Sequence, residues 1–84
     1  QDDVYYQKEL CWIYDSLANL EANNRQYELA AGFYEKLLKI KEKTEPENRT
    51  MIGDIYINLG QLHLEMRNIH RAREYFRDAL DIYE

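Results

Sequence analysis

The chain has 84 residues, room for one small domain, and its 45% hydrophobic and 32% charged residues are the balance of a folded chain, not a disordered one. The 11 Lys and Arg against 16 Asp and Glu leave a net charge of −5. That excludes a general nucleic-acid binder, because phosphate contacts need a basic footprint.

The first predicted helix covers about 4–22. Tyr6, Leu10, Ile13, Tyr14, Leu17 and Leu20 recur at spacings of three and four, which places them on one helical face. Asn23-Asn24-Arg25 interrupts the pattern, since Asn suits turns better than helix interiors. The second helix covers about 27–43, with Leu29, Ala30, Phe33, Tyr34, Leu37, Leu38 and Ile40 as its stripe. Glu35 and Lys39 stand at the (i, i+4) spacing of a helical ion pair. Thr44-Glu45-Pro46-Glu47 separates this helix from the next, and Pro is welcome at a first helical position. The third helix covers about 47–66, its apolar side being Ile52, Ile55, Tyr56, Leu59, Leu62 and Met66. After Arg67-Asn68 the fourth covers about 69–83, with Ala72, Tyr75, Phe76, Ala79, Leu80 and Tyr83 inward. Breaks this short make neighbouring helices antiparallel. The three Gly and one Pro are too few for the turns of an all-β protein. The fold class read here is all-α: two tandem antiparallel helix-turn-helix hairpins within one domain of residues 1–84.

Sliding the chain against itself gives a register at an offset of 42, from Tyr14 to Tyr56. Leu17 and Ala18 fall on Leu59 and Gly60, while Tyr27, Ala30 and Tyr34 fall on Ile69, Ala72 and Phe76. Leu38 and Ile40 fall on Leu80 and Ile82. The first repeat is 3–44 and the second 47–84. Small residues on both helices of a hairpin (Ala18 with Ala30, Gly60 with Ala72) let the backbones approach, and aromatics fill the wider parts of the seam.

The second unit, Tyr56-x-x-Leu59-Gly60-x-x-His63 followed by Ala72-x-x-x-Phe76 and Ala79, resembles the tetratricopeptide repeat. The first unit is a looser match, Tyr14-x-x-Leu17-Ala18-x-x-Glu21 and then Ala30-x-x-x-Tyr34. His63 and Glu21 stand where the family has Tyr, and Arg67 and Arg25 occupy turns where it often has Gly. The period exceeds the family's 34 residues by about eight, roughly one extra turn on each helix. That length resembles the long-repeat subclass of kinesin light chains and spindle-orientation adaptors. The resemblance implies a right-handed superhelical stack and an adaptor or scaffold role.

The resemblance also implies a concave peptide groove. Its slots fall on Trp12, Asp15, Ser16, Asn19 and Asn23 in the first unit. In the second they fall on Asp54, Ile57, Asn58, Gln61 and Glu65. The three amides Asn19, Asn58 and Gln61 can donate and accept, as an extended peptide backbone requires. Three of the ten are acidic and none is Lys or Arg. Asp15 stands where chaperone-tail receptors of the family place a carboxylate-gripping Lys. The expected ligand is thus a neutral or basic extended segment. The bland alternative is a solvated polar face, with the chain serving as a structural or assembly segment of a larger array. Trp12 has two readings as well, a groove anchor or a contact to a preceding repeat.

Other features carry less. His63 and His70 have no third ligand at metal spacing, Cys11 has no evident His partner, and Asp2-Asp3 suits a helix start. The reading is therefore no enzyme, no cofactor and no metal. Asn48-Arg49-Thr50 matches a glycosylation acceptor by chance, and Arg67, Arg71, Arg73 and Arg77 give the last helix a basic, solvated face. A single cysteine fits a reducing compartment, cytoplasm or nucleus. No apolar run approaches the roughly 18–20 residues that span a bilayer. The first residue is Gln, and the chain is read as a piece of a longer protein. Since about three repeats are usually needed for stability, Leu80, Ile82 and Tyr83 are expected to form an exposed patch. Further repeats of the parent chain, or self-association, would cover it.

Overall fold

The computed structural model describes residues 2–84, with side chains from Tyr5 onward. It consists of four helices: α1 (Asp2–Asn23), α2 (Tyr27–Thr44), α3 (Arg49–Glu65) and α4 (Ile69–Tyr83). Each helix packs on the next in sequence, α1 on α2, α2 on α3 and α3 on α4. The Cα extents of 42 × 32 × 13 Å describe a thin slab.

The helix ends follow from capping chemistry. Asn48 accepts a bond from the Met51 amide (3.3 Å) and Asn68 one from the Arg71 amide (3.4 Å). Each satisfies a donor that the first helical turn leaves without a partner. Because Asn48 is the cap, α3 opens at Arg49, later than the apolar pattern suggests. Pro46 consequently lies in the preceding turn, closed by the Asn48 amide on the Glu45 carbonyl (2.9 Å). Arg25 and Arg67 adopt left-handed backbone (φ 63° and 65°) just past α1 and α3. The amides that follow them reach back to the Glu21 carbonyl (2.8 Å) and the His63 carbonyl (2.7 Å). This is the helix-terminating turn in which Gly is usual, built here on Arg in both hairpins.

The core runs through the middle of the slab. Ala18, Ala30 and Leu59 are fully enclosed, joined by Tyr34, Leu37, Ile55 and Leu62. On α1 the structure corrects the apolar stripe: Cys11 and Ala18 are buried, whereas Tyr6, Ile13 and Leu20 are exposed. Among the described residues α1 packs closely against α2, and the side that carries Tyr6, Ile13 and Leu20 faces solvent. Leu29 is exposed as well. Glu35 takes the Tyr75 hydroxyl bond (3.0 Å) and lies 3.9 Å from Arg71, thus turning toward α4 and tying the hairpins together.

Candidate functional site

A groove runs between α1 and α3 with α2 as its floor. Its first cleft, about 400 Å³, is walled by Trp12 and Asp15 of α1 and by Met51, Asp54 and Asn58 of α3. Leu37 and Ile55 form an apolar base, and Lys8, Cys11 and Lys41 close one side. The second cleft, about 350 Å³, lies further along the same helices and gathers Asn19, Tyr34, Asn58, Gln61 and Glu65. Asn58 lines both clefts. Spacings of three, four and seven put these side chains on one side of each helix, which is why they converge.

Seven of the ten residues singled out from the sequence thus line the groove: Trp12, Asp15, Asn19, Asp54, Asn58, Gln61 and Glu65. Ser16, Asn23 and Ile57 lie outside both clefts. Trp12 is 69% exposed, a large indole left in solvent at the lip of the cleft. Two of the polar residues already have partners. The Tyr34 hydroxyl donates to Asn19 Oδ1 (2.9 Å), which leaves the Asn19 amide hydrogens free to point outward. The Tyr83 hydroxyl donates to Asp54 Oδ1 (2.7 Å) and lies 3.1 Å from the Thr50 carbonyl.

Lys8 and Lys41 are absent from the sequence-based set, and they change the electrostatics of the first cleft. Two lysines face two aspartates there, so its formal charges cancel. Lys41 is buried, and its ammonium pairs with Glu45 at 3.3 Å. Hydrogen bonds from Asn48 and Lys41 hold the Glu45 carboxyl below its ordinary range. The second cleft keeps Glu65 as its one charged lining residue. Burial raises the Cys11 thiol above its ordinary value, with Lys41 opposing, so the thiol beside the cleft stays protonated and inert at neutral pH. Burial and then the charge of Asp15 raise the Tyr34 phenol likewise, which keeps it a hydrogen-bond donor. The signal for Lys41 was in the repeat itself: at the offset of 42 it occupies the place of Tyr83, a position that meets the first helix of its hairpin.

Residues 9–84, which take in both helical hairpins, match the tetratricopeptide repeat family. The chain belongs to the tetratricopeptide repeat family. Repeats of this family are generally modules of protein–protein interaction, typically without enzymatic activity. The chain is also similar to Protein KINESIN LIGHT CHAIN-RELATED 3 of Arabidopsis thaliana, 26% identical over 78 residues. That match covers 93% of this chain and 12% of the relative, so the chain spans a small part of the relative's length. No solved structure is significantly similar to it. Among the described residues, no helix is long and apolar enough to cross a membrane, and no three His, Cys, Asp or Glu side chains gather as a metal site would require.

Proposed function

We propose that this tetratricopeptide chain is an adaptor or scaffold module that binds an extended, neutral or basic peptide segment in the groove between α1 and α3. The observation that carries the reading is the convergence of an apolar base, an exposed Trp12 and three amides along one groove. Leu37, Ile55 and Met51 would seat an apolar side chain beside Trp12. Asn19, Asn58 and Gln61 would hold the peptide backbone, as amides can donate and accept in one place. Lys8 and Lys41 offset the aspartates of the first cleft, so a basic ligand residue belongs over Glu65 in the second. The 42-residue register and the similarity to a kinesin light chain-related protein support assignment to the long-repeat subclass and a superhelical stack of its hairpins. A cytoplasmic setting agrees with a lone, protonated cysteine.

The test uses short fluorescent peptides with one leucine flanked by lysine, glutamine or glutamate, followed by anisotropy. Lysine and glutamine peptides should bind and the glutamate peptide should bind weakest. Asn58→Ala and Glu65→Lys should each weaken the lysine peptide on the order of tenfold, while Asn23→Ala changes little. Equal binding of all three peptides, indifferent to Asn58, would overturn the assignment.

A further inference from the structure

We propose that Tyr34, on the floor helix α2, sets the hydrogen-bonding direction of the groove by locking Asn19 as a donor, so that a bound peptide must bring a backbone carbonyl to that point. The proposal rests on the groove reading above and adds to it a positioning residue. Tyr34 is 3% exposed, and its hydroxyl donates to Asn19 Oδ1 at 2.9 Å. A phenolic hydroxyl taken out of water costs stability unless its proton finds an acceptor. The acceptor here is Asn19, so the carboxamide commits its oxygen to the floor. Both Nδ2 hydrogens are left for the cleft that Asn19 lines with Asn58, Gln61 and Glu65. Burial, and then the charge of Asp15 one turn before Asn19, hold the phenol above its ordinary range, so it keeps the proton that it donates.

The second repeat shows that this seam position needs a ring and not a hydroxyl. At the offset of 42, Tyr34 corresponds to Phe76, whose ring lies over Gly60 within its own hairpin. Packing alone is thus served by phenylalanine, and the oxygen of Tyr34 has its use at Asn19. The register also pairs Asn19 with Gln61. Gln61 has a longer stem, and the ring at the matching position of its hairpin carries no hydroxyl to hold it. It stays free to donate or accept, as an unfixed amide does. One amide of the groove is therefore set by the fold, and its counterpart adapts to the ligand.

This arrangement selects the ligand by its chemistry. A fixed N–H pair takes an acceptor and refuses an N–H or an ammonium. A backbone carbonyl suits it best, because no side chain has to be ordered to present it. Glu65, on the α3 wall of the same cleft, is acceptor-only when ionised and takes the cation. The cleft thus holds a donor on α1 and an acceptor on α3, and a peptide is favoured in the pose that meets both.

The glutamine-flanked leucine peptide, followed by anisotropy, tests the proposal without ligand charge. Asn19→Ala should weaken it on the order of tenfold and Tyr34→Phe about fivefold. Tyr34→Phe added to Asn19→Ala should cost no further affinity, because Tyr34 acts through Asn19. Asn19→Asp keeps the bond from Tyr34 but replaces the free donor with an acceptor, so it should bind as weakly as Asn19→Ala. An ester scan of the peptide weakens one carbonyl at a time. It should find a position whose cost shrinks in Tyr34→Phe and vanishes in Asn19→Ala. Full affinity in Tyr34→Phe while Asn58→Ala weakens the peptide would overturn the proposal and leave the groove reading standing. So would a loss from Tyr34→Phe that is equal with and without Asn19, since that is a purely structural effect. Binding indifferent to Tyr34, Asn19 and Asn58 alike would overturn both.

Discussion

The two hairpins share a register and differ in how tightly they close. In the second, Gly53 and Gly60 of α3 each lie under an aromatic ring of α4. A Cβ at these positions would come within 2.7 Å of Tyr83 and 2.6 Å of Phe76. In the first, Cys11 and Ala18 stand in those places, opposite Lys41 and Tyr34. Tyr34 still buries itself, whereas Lys41 replaces a flat ring with a flexible stem whose charge must reach Glu45. The seam therefore gives way to a cleft beside Trp12 at the one position where the repeat exchanges an aromatic for a lysine. Closure also depends on neighbours. Leu59 is enclosed because α3 lies between α2 and α4, while its equivalent Leu17 is half-buried on α1, which packs closely against α2.

The largest effect that would sharpen this contrast is a pair of truncations. Leu59→Ala should lose about 2–5 kcal/mol in urea unfolding, the range for a fully buried leucine that leaves a cavity. Leu17→Ala should lose less, about 1–2 kcal/mol, since part of its side chain already meets water. Equal losses would mean that α1 is as well covered as α3.

A smaller difference lies at the caps. Asn68 caps α4 through its side chain, and its equivalent Gln26 makes no such bond at the start of α2. Gln26→Asn should stabilise the chain by about 0.5–1 kcal/mol, and Asn68→Gln should cost a similar amount, both read from thermal melts. No gain at Gln26 would mean that the first hairpin holds that turn by other contacts.

The smallest effect is a tilt with pH. His63 is buried, stacks on Tyr75 (centroids 5.5 Å apart), and its Nε2 has no hydrogen-bond partner. Burial, and secondarily the charge of Arg71, holds the imidazole below its ordinary range. The unfolded chain therefore takes up a proton at a higher pH than the folded chain does. Stability is fully present above about pH 6.5 and is lost as pH falls through the depressed folded value. The loss should be shallower in His63→Gln. The first hairpin has Glu21 at this position. An identical pH profile in His63→Gln would remove His63 as the source.

Much of the architecture was legible because helices announce themselves through local spacing. The recurrence of apolar residues every three to four positions located four helices, and the self-alignment from Tyr14 to Tyr56 located the hairpins. The side chains of α1 were misread for a specific reason. Periodicity reveals that Tyr6, Ile13 and Leu20 share a side of the helix, but it does not reveal whether a neighbour arrives to cover them. Among the groove residues, Trp12, Asp15, Asn19, Asp54, Asn58, Gln61 and Glu65 could be placed because the resemblance to the family implies slots on α1 and α3. Lys8 could not, because it lies outside the family's slots, and Lys41, which enters the cleft from the floor helix, was legible only through its register with Tyr83.

The amino-acid sequence by itself determined the helices, their turns and the repeat, since these depend on contacts between residues close along the chain. Tertiary structure alone decided that the first cleft is charge-balanced, that Glu45 satisfies the buried Lys41, and that the aliphatic faces of α1 and α4 remain open. Those outcomes depend on which helix lies across from which, at distances that no local pattern encodes.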